Sequence, residues 1–259
     1  MSAAPRSATR PSEFDDWNAR DYLSEYYGSI MDDERHALAF LVESMRELPP
    51  VERALDFGCG PCVHHCFALV PRAGEIHVAD FVPGNLEEIS RWQERRPGAH
   101  DWSAFTAETL SLEGRASTAA DILRREEQTR ARVTRRLTAD IRAEDPLGAG
   151  GRAAYGLVTS HYCAEAISTD KDVFRSNVRH LAGMVAPRGT LVLSACGAAN
   201  SYKVGERQFP CSGVTAEDVL SALVGAGCRE IDLRLRNTPV HTAQGYSSVI
   251  FARARRPHE

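Results

Sequence analysis

Two short segments carry the clearest chemical pattern in the chain. Ala54-Leu55-Asp56-Phe57-Gly58-Cys59-Gly60-Pro61 runs from an apolar stretch into a glycine-containing turn, and a second apolar stretch ends in Asp80, 22 residues after Gly58. Glycine lets a backbone come close to a ligand, and an acid at about 20 residues accepts hydrogen bonds from ribose hydroxyls when both strand ends face one crevice. A dinucleotide site would carry a third glycine. Here Val63 stands in its place after Pro61 and Cys62, which disfavours NAD. An adenosine ligand without a pyrophosphate fits better, and S-adenosylmethionine is the common one.

The same turn opens a second possibility. Cys59-x-x-Cys62-Val63-His64-His65-Cys66 packs three thiols and two imidazoles into eight residues, all of them acceptable to zinc. Structural zinc sites draw their ligands from two separated pairs, and metal on Cys59 and Cys62 would obstruct the cofactor turn, so no metal is assigned there. A protein that binds metal or cofactor without catalysis is the reading this leaves open.

These residues need a scaffold, and the composition supplies one. The 259 residues are 43% hydrophobic and 25% charged, which suits one α/β domain and excludes collagen-like or wholly disordered chains. A formal charge of -4 disfavours nucleic acid and points to a small-molecule partner. No apolar run is long enough for a bilayer span and the first dozen residues lack a signal-peptide core, so a soluble, cytoplasmic protein is expected, with no membrane partner. The seven cysteines, several in apolar segments, predict reduced thiols.

Residues 1–12 read as a disordered tail and 13–259 as one domain. Leu38, Leu41, Val42, Met45 and Leu48 predict a helix from Asp32, capped by Asp32 or Asp33 and stopped at Pro49-Pro50. Buried strands are predicted at Arg53 to Phe57, Ile76 to Phe81, Gly156 to Ser160, Thr190 to Ala195, Ile231 to Leu235 and Ser248 to Ala252, with a helix over Asp172 to Val185. Strands alternating with helices imply a mostly parallel, doubly wound sheet. Residues 98–132 interrupt the rhythm, and the arginines from Arg124 to Arg136 read as a solvated helix face.

The chain resembles the class I methyltransferases of the nicotinamide, phenylethanolamine and thioether or indolethylamine N-methyltransferase group. The resemblance rests on Ala79-Asp80-Phe81 with Asn85, Arg91-Trp92, Pro97 to Ser103, Pro146-Leu147-Gly148-Ala149-Gly150 and Tyr162-Cys163-Ala164-Glu165-Ala166, and extends from about Phe14 to Arg256. It implies a single Rossmann-like domain with a seven-stranded sheet, helices on both faces and an N-terminal helical lid at 13–50. It also implies that Gly58, Cys59, Gly60 and Cys62 line the methionine end of S-adenosylmethionine and that His64 is among the cofactor-binding residues. Asp80, Phe81 and Asn85 would hold ribose and adenine, Asp140 and Ile141 would flank the adenine, and His161, Tyr162 and Ile167 would lie beside the cofactor. Phe14, Tyr22 and Tyr27 match aromatics of the lid, which would exclude water.

For the acceptor, Glu165 matches the family's acid near the amine, and Tyr26, Tyr162, Tyr202 and Gln244 would complete the pocket. Two departures bear on the acceptor: Gln244 and Ala195 stand where branches of the family carry further acids. N-methylation of an aromatic or arylalkyl amine, indolethylamine-like and serving secondary metabolism, is the first expectation, with Glu165, His161 and Tyr27 as the catalytic group. Methylation of indole carbon 3 is the alternative, with Glu165, His161 or His64 as the base for the ring N–H.

Overall fold

The computed structural model describes Phe14 and residues 16–258; the expected tail at 1–12 lies outside the described residues. In chain order the elements are α1 (Ala19–Tyr27), α2 (Asp32–Glu47), β1 (Val51–Phe57), α3 (His64–Leu69), β2 (Ala73–Asp80), α4 (Pro83–Gln93), α5 (Ser103–Leu112), α6 (Ala119–Arg132) and β3 (Val133–Thr138). They continue with β4 (Tyr155–His161), α7 (Lys171–Met184), β5 (Val185–Gly197), β6 (Ser201–Val204), β7 (Arg207–Pro210), α8 (Ala216–Gly225), β8 (Arg229–Asn237) and β9 (Ser248–Arg255).

Seven strands form one sheet in the order β3-β2-β1-β4-β5-β9-β8. The first five are parallel, and β9 runs antiparallel between β5 and β8. Alternation along the central strands sends successive side chains to opposite faces. Ala54, Ile76, Val78, Leu157 and Val192 join a core under α2, α3, α4 and α5, while Leu55, Phe57, Ala79, Val158 and Leu193 join a second core under α7 and α8. Both faces of the sheet are thereby covered, as parallel sheets require.

The structure extends or corrects several local readings. α2 starts where the spacing places it, but its N-cap is Met31, which makes no side-chain cap bond. Asp32, Asp33 and Glu34 fall in its first turn, where the helix dipole favours negative charge. Residues 133–138 are an edge strand; among the described residues β3 pairs only with β2, so its Arg135 and Arg136 stay exposed and mask it among helix-forming neighbours. The hairpin β6-β7 also escapes the apolar pattern, because each strand is only four residues long.

The arginines of α6 are not the uniformly solvated face that their spacing suggests. Arg125 is buried and donates to Phe67 O at 2.7 Å and, through two nitrogens, to both carboxylate oxygens of Glu113 at 2.7 and 2.6 Å. Arg130 lies 4.1 Å over the Trp92 ring and pairs with Glu126 and Glu127. These contacts fasten α6 to α3, α4 and the end of α5. Removing one partner of a buried bidentate pair strands the other, so Arg125→Ala should lower unfolding stability by about 3 to 5 kcal/mol, measurable by urea denaturation. A loss under about 1 kcal/mol would show that Arg125 does not hold this subdomain.

Candidate active site

The parallel strands β2, β1 and β4 present their carboxyl ends to one crevice, and β1 lies between the others where the connectivity reverses direction across the sheet. The turn after β1 is pinned at its root, since the N–H groups of Gly58 and Cys59 both donate to Ala79 O at 2.7 and 3.1 Å. Gly58 has φ +67° and Gly60 φ +58°, a left-handed backbone that favours glycine. Gly58 is doubly constrained, because a Cβ there would fall 2.1 Å from Cys163 Sγ.

Asp80 is the hub of this turn. Its Oδ2 accepts from Gly60 N–H at 2.8 Å, and its Oδ1 from Val82 N–H at 2.8 Å and Asn85 Nδ2 at 2.9 Å. A carboxylate offers about four lone-pair sites, so Oδ2 retains capacity for another donor. Burial raises the Asp80 pKa, and these hydrogen bonds oppose the rise. The neighbouring Asp140 is held below the usual carboxylate range by Arg142, against the opposing effect of burial. The Arg142 guanidinium also lies 5.1 Å over the Phe81 ring.

One cavity opens from this turn. Of the residues singled out in the sequence, Phe14, Tyr22, Tyr26, Tyr27, Gly58, Cys59, Gly60, Asp80, Phe81, Asn85, Asp140, Ile141, His161, Tyr162, Ile167 and Tyr202 line it. Cys62, His64 and Glu165 do not. Cys62 is buried in the core beside α3, and His64 is turned toward Glu34, with its ring stacked 5.0 Å from Trp102. Glu165 is completely buried, its Oε1 accepting from Cys196 N–H at 2.8 Å. Glu165 thus sits behind the end of β5, where Cys196 itself lines the cavity. The side chain of Gln244 lies outside the described residues.

Aromatic side chains form the wall opposite the turn. Tyr22 packs between Trp17 and Tyr26 at ring separations of 4.9 and 5.0 Å, and its hydroxyl lies 3.4 Å from that of Tyr27. Tyr26 OH donates to Lys203 O at 2.5 Å, and Gly205 N–H donates to Glu25 at 2.7 Å, which tie α1 to the β6-β7 hairpin. Burial pushes the phenols of Tyr22, Tyr27 and Tyr162 well up, so all three stay protonated.

Sequence reading missed the charged end of the cavity. Asp33, Glu34, Asp56, His65, His241 and Tyr246 also line it. Asp33 Oδ1 lies 2.6 Å from His241 Nε2, and its Oδ2 accepts from Tyr246 OH at 2.9 Å. Glu34 Oε1 lies 2.8 Å from His64 Nε2 and 3.2 Å from His65 Nε2. Burial alone would raise the Glu34 pKa, but the two imidazoles hold it well below the usual carboxylate range. His64 is pushed down to about 4, chiefly by burial. Burial also acts to lower His65, yet Glu34 and Asp56 outweigh it and raise its pKa. The sequence signals were the acidic run at the start of α2, which also serves as an ordinary helix start, and His64-His65 in the thiol-rich run, read there only as candidate metal ligands.

The residues fit an adenosine-bearing cofactor. The glycine turn brings backbone to the cavity, and Asp80 retains acceptor capacity on Oδ2 at the end of β2. Phe81 and Ile141 supply apolar surface beside that carboxylate. Sheet order and site together define a class I, Rossmann-like methyltransferase. A model described as the NNMT/PNMT/TEMT family matches residues 7–256, and the chain belongs to that family of S-adenosylmethionine-dependent methyltransferases.

Among its relatives, phenylethanolamine N-methyltransferase of Homo sapiens is 32% identical over 197 residues, covering 75% of this chain and 69% of that one. Indolethylamine N-methyltransferase of Mus musculus is 29% identical over 223 residues, covering 83% of each. The fold is shared with the N-methyltransferase NodS of Bradyrhizobium japonicum WM9, solved with S-adenosyl-L-homocysteine. That match has a TM-score of 0.53 and 16% identity, and covers 90% of this chain and 91% of that one. Among the described residues no helix is long and apolar enough to cross a membrane.

Glu165 carries a pH signature of its own. Burial raises its pKa from 4.5 to about 7, while the Cys196 N–H bond opposes the rise. The folded protein therefore holds a proton there that the unfolded chain releases at lower pH. The resulting stability is full below about pH 4.5 and is lost as pH rises through about 7. Glu165→Gln keeps an acceptor for Cys196 N–H without the ionisation. The variant should match the parent near pH 4 and exceed it at pH 8 by up to about 3 kcal/mol, as read by denaturant unfolding at both pH values. Equal pH dependence in both proteins would reject this account.

Proposed function

We propose that the protein transfers a methyl group to the nitrogen of a small aromatic or arylalkyl amine, with an indolethylamine-like compound as the leading acceptor and secondary metabolism as the setting. The observation that carries this reading is the combination, in one cavity, of tyrosine faces with the buried carboxylates Asp33 and Glu34. Aromatic faces stack on an aromatic ring, and carboxylates attract a cationic amine. The names of the phenylethanolamine and indolethylamine relatives support the same acceptor class.

When bound, S-adenosylmethionine supplies an electrophilic methyl on a sulfonium sulfur. In this reading Gly58, Cys59 and Gly60 bring backbone against its methionine end, Asp80 and Asn85 hold the ribose, and Phe81, Asp140 and Ile141 flank the adenine. Tyr26, Tyr162 and Tyr202 orient the acceptor ring, so that proximity provides most of the rate enhancement. Asp33, oriented by His241 and Tyr246, draws the ammonium into place and takes its proton on a carboxylate oxygen. α1, with Tyr22 and Tyr27, acts with Phe14 as the lid that excludes water. Among the catalytic candidates, His161 faces the cavity, Tyr27 serves as a neutral phenol, and Glu165 acts from behind the β5 end.

The deciding experiment offers S-adenosylmethionine with a labelled methyl and a pool of arylalkylamines, indolethylamines and pyridines, and locates the label by carbon NMR. Label on nitrogen, with a loss of at least about tenfold in kcat/KM for Asp33→Asn, is the expected result. Label on indole carbon 3 would replace amine methylation by ring methylation. Cofactor binding with no product from any acceptor would favour a binding protein. Independently, Asp80→Ala should weaken cofactor binding by about 30- to 1000-fold, measured by calorimetry, and a change below about threefold would remove Asp80 from the ribose site.

A further inference from the structure

We propose that Asp56, His65 and His161 form a binding site for a first-row divalent metal ion of zinc-like preference in the floor of the cavity. Asp56 is near the end of β1 and His161 is the last residue of the adjacent parallel strand β4, so the two side chains arrive from the same sheet end. His65 reaches them from the first turn of α3. One potential ligand atom from each residue lies within 4.8 Å of the other two, and all three residues line the cavity.

Three observations point to a ligand rather than to a closed polar network. First, Asp56 Oδ2 and His161 Nε2 are buried and make no hydrogen bond, and His65 Nε2 has only Glu34 Oε1 at 3.2 Å, the residues being 1, 7 and 4% exposed. Each unsatisfied polar atom of this kind is costly, and a shared ion would satisfy all three. Second, the remaining atoms are held from behind. Thr159 Oγ1 donates to Asp56 Oδ1 at 2.8 Å, and His161 Nδ1 lies 2.5 Å from Ser194 Oγ. With Nδ1–H donating to Ser194, the Nε2 lone pair is left for a metal, the outer-shell arrangement that metal-ligating histidines use. Third, Asp33, Glu34 and Asp56 gather at this end of the cavity, whereas Arg142, the only Lys or Arg in its lining among the described residues, sits over Phe81 beside Asp140.

Two imidazoles and a carboxylate suit zinc and its first-row neighbours better than calcium or magnesium, which prefer oxygen alone. Glu34 Oε1 lies 3.2 Å from His65 Nε2 but groups with His64 and His65 rather than with Asp56 and His161, so three protein ligands make up the set. Tetrahedral zinc with bonds of about 2.0 to 2.1 Å needs its ligand atoms about 3.3 Å apart, so the His65 and His161 rings, now stacked at 3.8 Å, must swing toward the ion. This ligand set differs from the thiol-rich run noticed in the sequence. Among the described residues no cysteine sulfur joins a cluster of three or more candidate ligand atoms, so Cys59, Cys62 and Cys66 do not gather on this set. Three protein ligands would leave one position of a tetrahedral ion for a nitrogen or oxygen atom of a small molecule.

The test uses the full chain, stripped with a chelator and titrated with zinc alone by calorimetry at neutral pH, without cofactor or acceptor. One saturable equivalent is expected, with affinity reduced at least about 100-fold in His161→Ala and about 10- to 100-fold in Ser194→Ala, which removes only the outer-shell hydroxyl. Cobalt(II) in the same protein should give the visible d–d absorption of a four- or five-coordinate ion without thiolate charge-transfer bands. Circular dichroism of the metal-free variants separates lost binding from lost folding, and if His161→Ala does not fold, Ser194→Ala and the cobalt spectrum decide. Absence of saturable binding by the parent protein would overturn the proposal. So would undiminished affinity in both folded variants, or cobalt–thiolate bands assigning the ion to Cys59, Cys62 and Cys66. None of these readouts involves methyl transfer, so failure here leaves the amine-methylation reading standing.

Discussion

The absence of a side chain at Gly58 is the constraint on which the site depends. Cys163, just beyond β4, puts its sulfur where a Cβ on Gly58 would be, so the β1 turn and the segment after β4 close to contact only because residue 58 has none. That closeness fixes the crevice between the strand ends. Asp80 then locks the crevice from the β2 side by accepting from Gly60, Val82 and Asn85 at once. The carboxylate thus has a structural role as well as a place in the proposed ribose site, and the turn is preorganised before a ligand arrives.

A second organising feature is the placement of ionisable groups where water is scarce. Asp33 and Glu34 enter the interior from the first turn of α2 and meet His241, Tyr246, His64 and His65 from three other segments. Isolated buried carboxylates would be driven toward their neutral form, but imidazole partners keep Glu34 ionised. The cavity consequently has a negatively charged end and an aromatic wall, with the cofactor turn on another side. This division suits a cationic aromatic acceptor.

Particular residues show how much could be read without coordinates. The Gly58-Gly60-Asp80 pattern was legible because spacing along alternating strands and helices dictates which strand ends meet, whereas the tyrosines of α1 and most positions proposed for the cofactor were suggested by the family resemblance and not by spacing. β3 and the β6-β7 hairpin were not legible, because short or edge strands bury too little to leave an apolar period. Arg125 looked solvated because its partners, Phe67 O and Glu113, are distant in the chain. Glu165 was legible as an acid near the site but not as one turned away from the cavity, since the direction of a side chain depends on the backbone N–H it finds, here that of Cys196.

By itself the sequence determined the doubly wound architecture, the glycine turn and its paired acid, because hydrophobic period, glycine content and residue spacing are local properties of the chain. Tertiary structure alone decided the charged chemistry of the cavity. Asp33 and His241 are 208 residues apart, and Glu34 and His64 are 30 apart. Whether such groups become a helix start, a buried ion pair or a set of metal ligands depends on which partners the fold brings within about 3 Å and how completely it removes water from around them.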